Sequence, residues 1–227
     1  MQWKKISVLF LIWILGVSYS PPYVVSSIQE YKRLVQKEPS KTLVNLKKIC
    51  PSIILDIRYA THNNFLGIPL YNLPRAYVRF PVALAIAEIQ KELEPLGLSL
   101  KIYDAYRPYS ITKKMWELTK GSPYVAHPAY GSIHNRGTAL DLTLVNVLED
   151  STDVPMPSQY DEFNIKASHY FLNINRSYIN NRNLLKRIME KHGFIANEHE
   201  WWHYDFKNYK NYELLDISFE DLDQLDN

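Results

Sequence analysis

The sequence predicts an α+β fold, a single domain whose central antiparallel sheet is flanked by helices. Three observations carry this. The chain has 227 residues, close to the size of one ordinary domain. Segments of strand and helix character follow one another without the regular alternation of a doubly wound sheet. With 46% hydrophobic against 22% charged residues, the composition suits a chain that buries a core rather than a disordered or fibrous one.

Residues 1–18 read as an export signal. Lys4 and Lys5 precede an apolar run from Ile6 to Val17, and small residues follow at Gly16, Ser18 and Ser20. That is the order of a charged, an apolar and a cleavage region. The run is shorter than the roughly 20 residues of a membrane span, and Pro21-Pro22 favours a cut after Ser18. The expected product is exported, periplasmic or extracellular, and holds no stable span; an uncleaved, anchoring N-terminus is the alternative.

The remaining elements follow in order. An N-terminal extension, 19–44, contains a helix over 27–38. The main domain, 45–207, opens with a strand over 52–59, where apolar residues alternate. A helix over 81–95 has Pro81 at its start and Gly97 just past its end. A strand over 98–103, a helix over 111–119 and a strand over 138–144 come next. A helix over 183–191 is stopped by Gly193, and 194–206 is rich in strand formers. Residues 208–227 form an acidic C-terminal tail; Glu213 to Asn227 holds six acids and no Lys or Arg, and a solvated run is its default reading, with a docked terminal segment as the alternative.

Composition excludes several functions. Only seven glycines occur, with no G-x-x-x-x-G-K or G-x-G-x-x-G, so phosphate loops are absent. Without the signal's two lysines, acidic and basic residues balance, which leaves no electrostatic basis for a nucleic-acid partner. The lone Cys50 rules out an intramolecular disulfide framework and a multi-cysteine zinc site, and between Ile49 and Pro51 it reads as a small buried hydrophobe. A metal, if present, must be held by histidine and carboxylate.

Three segments concentrate chemistry: Tyr103-Asp-Ala-Tyr-Arg-Pro108, Ser132-Ile-His-Asn-Arg-Gly-Thr-Ala-Leu-Asp141 and His199-Glu-Trp-Trp-His-Tyr-Asp205. In a strand over 138–144, Leu140, Leu142 and Leu144 face the core, while Asp141, flanked by Ala139 and Thr143, looks into a space. His134 precedes it, and Gly137 lets the chain turn so that the imidazole reaches the same space. A histidine and a carboxylate converging in this way are two ligands of a zinc site. The third segment matches H-E-x-x-H, which binds zinc through both histidines when helical. Its aromatic surroundings are poor in helix formers, so the competing reading keeps Glu200 and His203 and leaves His199 as a neighbour. Those two residues fall on opposite faces of an ideal strand, and a bulge or bend must bring them together. Arg107, at the end of a strand and before Pro108, supplies a cation to a site or pairs with an acid such as Asp104.

Together the segments resemble the zinc D-alanyl-D-alanine dipeptidases, a family related to D,D-carboxypeptidases that act on peptidoglycan peptides. The resemblance covers roughly residues 45–207. It rests on Asp56-Ile-Arg-Tyr-Ala-Thr with Asn64-Phe65, on Asp104-Ala-Tyr-Arg-Pro, on Ser-x-His-x-x-Gly-x-Ala-x-Asp and on Glu-Trp-Trp-His. It implies one zinc ion held by His134, Asp141 and His203, with Glu200 as base and Arg107 as transition-state stabiliser. It also places Ser132 and Tyr59 near the bound dipeptide D-Ala-D-Ala, and leaves His62, His127 and His199 structural. A base beside a three-ligand set argues for catalysis over a binding module.

Overall fold

A computed structural model describes residues 21–226; the expected export signal lies outside them. The strands are β1 (Val24–Val25), β2 (Leu43–Asn45), β3 (Ile54–Leu55), β4 (Tyr77–Arg79), β5 (Leu98–Asp104), β6 (Ala139–Asn146), β7 (Thr152–Asp153), β8 (Phe194–Ala196), β9 (His203–Phe206) and β10 (Leu214–Leu215). The helices are α1 (Ile28–Lys37), α2 (Leu46–Ile49), α3 (Phe80–Leu93), α4 (Tyr109–Leu118), α5 (Arg176–Lys191) and α6 (Phe219–Leu225). The main sheet runs β3-β5-β6-β9-β8, with β7 on β6. All its pairs are antiparallel except β3 with β5. The α+β prediction holds, and among the described residues no helix is long and apolar enough to cross a membrane.

The core is built on β5 and β6. Leu100, Ile102, Leu140, Leu142 and Leu144 are fully buried, and truncating one of them to alanine would cost about 2–5 kcal/mol. Helix α3 covers this region with Val82, Ala83, Ile86, Ile89 and Leu93. Pro81 sits in its first turn, where a missing N–H costs nothing. A bulge between Ile102 and Asp104 shifts the β5–β6 register and sets Asp104 opposite Asp141. Bulges commonly re-aim a side chain beside a site, and this one does so for Asp104.

Three expectations need correction. The strand over 52–59 is confined to Ile54–Leu55. Beyond it the chain coils into a turn, and the Tyr59 carbonyl accepts the amides of Leu70 and Tyr71 at 2.7 and 2.9 Å, drawing Tyr59 inward. Helix α5 begins at Arg176, earlier than expected, because the Asn175 side chain caps it at Ser177 N. The acidic tail takes its alternative reading, a docked segment, and not the default solvated run. Leu214 and Leu215 pair with β1, and Phe219 and Leu222 bury one face of α6. Its acids find partners in the folded body: Asp223 holds Arg75 and the Tyr77 hydroxyl, and Glu213 holds Lys41.

Candidate active site

The site lies where β6 and β9 run side by side. Their register places Asp141 directly opposite His203. His134 enters from the tight turn His134–Arg136, which closes on Gly137 at φ +69°. A side chain there would strain the backbone and bring a Cβ to 2.5 Å from Leu43 Cδ2, so the turn depends on glycine.

His134, Asp141 and His203 form a group whose ligand atoms all lie within 4.8 Å of one another. His134 Nε2 is 3.4 Å from Asp141 Oδ1 and 3.3 Å from His203 Nδ1, and His203 Nδ1 is 2.9 Å from Asp141 Oδ1. Donors about 2.0–2.2 Å from a tetrahedral zinc would be separated by roughly 3.3–3.6 Å, so the trio is nearly the right size to hold one. The outer nitrogens of both rings are anchored: His134 Nδ1 meets the Ala105 carbonyl at 2.7 Å, and His203 Nε2 meets Asp205 Oδ1 at 3.0 Å. With a proton on each outer nitrogen, the inner ones present lone pairs to the centre. Tyr160 donates to the second oxygen of Asp141 at 3.0 Å, leaving Oδ1 for the centre.

The electrostatics agree. Burial opposes charge on His203, yet the carboxylates of Asp141 and Asp205 hold it well above the ordinary imidazole value. Burial likewise lifts the Asp141 carboxyl, and His134 and His203 outweigh it and pull it below the carboxylate range. The carboxylates thus favour positive charge at the centre, which a proton or a metal ion supplies.

Glu200 stands on the turn between β8 and β9. Its amide reaches the Asn197 carbonyl at 3.3 Å, and the His203 amide reaches the Glu200 carbonyl at 3.1 Å. This is the bend that brings Glu200 and His203 to one cavity. Residues 199–203 are therefore no helix, and H-E-x-x-H has no shared face: His203 joins the ligand group, while His199 lines a neighbouring groove. Burial raises the Glu200 carboxyl above its usual value; His203 opposes that and Asp141 adds to it. His62 and His127 also stand apart, one bonded to the Gly67 carbonyl and the other packed on Trp116.

The cavity, about 340 Å³, is lined by Tyr59, Arg107, Ser132, His134, Asp141, Asp161, Glu200 and His203 among others. A groove of about 570 Å³ shares Tyr124, Phe163 and Glu200 with it. Arg107 meets both sequence readings at once. Its Nε and Nη2 bind Asp104 Oδ2 at 3.0 and 2.6 Å, and it still faces the cavity. Burial disfavours its charge, but Asp104 more than compensates and holds it fully protonated. The Tyr59 ring lies under the guanidinium at 5.0 Å. Ser132 accepts the His134 amide at 3.2 Å, so it braces a member of the trio as well as lining the cavity.

Sequence reasoning missed Asp161. Its carboxylate accepts the Tyr59 hydroxyl at 3.0 Å, and burial together with the Asp141 charge pushes it well above its ordinary value. It stands on irregular chain at φ +58°, where neither period nor motif marks it. Asp205 was within reach of the sequence, because two positions beyond His203 on a strand lies on the same face.

A family model for D-Ala-D-Ala dipeptidases matches residues 39–220. The chain belongs to this family. The D-alanyl-D-alanine dipeptidase of Escherichia coli K12 is 33% identical over 177 residues, 78% of this chain and 91% of that protein. The dipeptidase of Enterococcus faecalis V583 is 34% identical over 174 residues, covering 66% of this chain and 83% of the relative. A vancomycin-resistance D,D-pentapeptidase crystallised with Zn(II) superposes at a TM-score of 0.39, with 13% identity over 60% of this chain and 75% of that one. As a member of its family the chain is a metallopeptidase that acts as a dipeptidase.

Proposed function

We propose that His134, Asp141 and His203 hold one zinc ion, and that Glu200, Arg107, Asp161 and Tyr59 serve the hydrolysis of D-Ala-D-Ala around it. The observation that carries the reading is the convergence of three anchored donors, with a half-buried carboxylate and a buried guanidinium on the same small cavity. Zinc bound there would lower the pKa of water toward about 7 and polarise the scissile carbonyl.

The chain's own groups complete the reaction. Glu200, with its proton affinity raised by burial, takes a proton as water attacks the carbonyl and delivers it to the leaving amine. Arg107 meets the carbonyl oxygen as negative charge develops there; Asp104 and Tyr59 fix the guanidinium beforehand, so no reorganisation is needed at that moment. Asp161 is uncomfortable as an unpaired anion and suits the free ammonium of a dipeptide, whose charge would restore its own. Tyr59 holds that carboxylate in place, and Ser132 supports His134 at the rim. The apolar leader of residues 1–18 supports action outside the cytoplasm.

The test is release of free D-alanine from D-Ala-D-Ala, with and without chelator, beside a muropeptide ending in D-Ala-D-Ala. Chelator-sensitive release from the dipeptide is expected. The groove beside Glu200 favours a second reading, a D,D-carboxypeptidase or endopeptidase acting on peptidoglycan peptides, and faster cleavage of the muropeptide would select it. Export is checked by fractionating cells that express the chain with and without residues 1–18.

A further inference from the structure

The C-terminal segment lies against the chain that carries Arg107. Helix α4 starts just after Arg107-Pro108 with no side-chain cap of its own. Asp216 provides one from afar, accepting the Ser110 amide at 2.9 Å and its hydroxyl at 2.7 Å. On the other side of Arg107, the Tyr106 hydroxyl donates to the Ile217 carbonyl at 3.0 Å and accepts the Ile217 amide at 2.8 Å. The Phe219 ring then packs edge-on against Tyr71 and Tyr106, with centroids 5.1 and 6.0 Å away. Tyr71 in turn donates to Asp104 Oδ1 at 2.7 Å, and the other oxygen of Asp104 carries Arg107.

We propose that residues 216–219 are a positioning strap for Arg107, with Phe219 acting through Tyr71 and Asp104. The proposal rests on reading Arg107 as the group that meets the developing oxyanion. A guanidinium on a long stem has several rotamers, and its fork works only when aimed. Asp104 supplies the aim, but a carboxylate held on one side alone can swing about its own bond. On the other side the Ala105 amide reaches Oδ1 at 3.0 Å, Tyr71 adds a buried, charge-assisted hydrogen bond to the same oxygen, and Phe219 stops the Tyr71 ring from tilting away. Asp216 fixes the backbone after Arg107 at Ser110, and Ile217 holds the Tyr106 side chain before it. Strap contacts therefore contribute to turnover beyond their contribution to stability.

The experiment measures kcat and KM for D-Ala-D-Ala on the full chain bearing Phe219→Leu, in the wild-type background and with Arg107→Lys. Lysine keeps the charge but cannot take the paired bonds to Asp104. The expected result is a fall in kcat of about tenfold in the wild-type background, within the range that small misplacements produce. KM should stay within twofold and zinc content should be unchanged, and the loss should shrink below twofold in the Arg107→Lys background. Equal losses in both backgrounds would overturn the proposal by showing a general packing defect, and so would no loss in the wild type. Wild-type turnover in Arg107→Ala would instead remove the oxyanion role itself, and the strap with it. If Phe219→Leu unfolds at the assay temperature, Tyr71→Phe carries the same cycle, since it leaves the ring packing and removes only the hydroxyl on Asp104.

Discussion

The proposed metal side and the proposed substrate side of the cavity are built in different ways. Asp141 and His203 face each other across two hydrogen-bonded strands, and His134 joins them from a turn that closes just before β6. Backbone pairing brings the three together, and the Ala105 carbonyl, Asp205 and Tyr160 complete their orientation. Arg107 and Asp161 stand on irregular chain and Tyr59 on the short turn Arg58–Ala60, and side chains hold the group together: Asp104 on Arg107, Tyr59 on Asp161, Tyr71 on Asp104. The ligand side consequently feels a neighbour's change only through the outer anchors of its rings, whereas the substrate side passes a neighbour's change straight on to the reacting groups.

The largest effect should come from breaking the strand-built side directly. His203→Ala should abolish zinc binding and cut turnover by at least about a thousandfold, measured as metal content beside activity. Full zinc occupancy would place the ligands elsewhere. On the loop-built side, Asp161→Asn should leave zinc in place and raise KM for D-Ala-D-Ala about 10–100-fold, the value of one hydrogen bond to a charged group. An unchanged KM would detach Asp161 from the substrate ammonium. A gentler change on the metal side is Asp205→Asn, which loosens the outer anchor of His203. Zinc affinity should fall about 10–100-fold while the zinc-loaded enzyme turns over within a few-fold of wild type; unaltered affinity would show that the anchor is dispensable. The smallest effect belongs to His199→Ala, which should change zinc content and turnover by less than about twofold. Loss of metal there would revive H-E-x-x-H.

The same contrast explains what the sequence disclosed. Asp141 was legible because Leu140, Leu142 and Leu144 define one face of a strand, which forces the carboxylate to the other. Gly137 disclosed the turn that turns His134 inward. The Glu200–His203 bend was legible only as a requirement, since strand periodicity puts the two on opposite faces. Asp161 left no trace, because its position depends on a hydroxyl from Tyr59, remote in the chain. The C-terminal segment misled for a related reason. Its acids look solvated until Arg75, Tyr77 and Lys41 are seen beside them, and those partners belong to a distant part of the sequence. The surplus of tyrosines also gains a reason: Tyr71 and Tyr160 donate to the buried carboxylates of Asp104 and Asp141, and Tyr59 to the half-buried one of Asp161.

The central claim is that Glu200 moves the proton beside a zinc ion held by residues other than itself. It is tested most directly by Glu200→Ala, assayed for D-alanine release from D-Ala-D-Ala and for zinc content on the same preparation. Zinc at the wild-type level with turnover reduced by at least about a hundredfold is the predicted result. Near-normal turnover with zinc in place would contradict it.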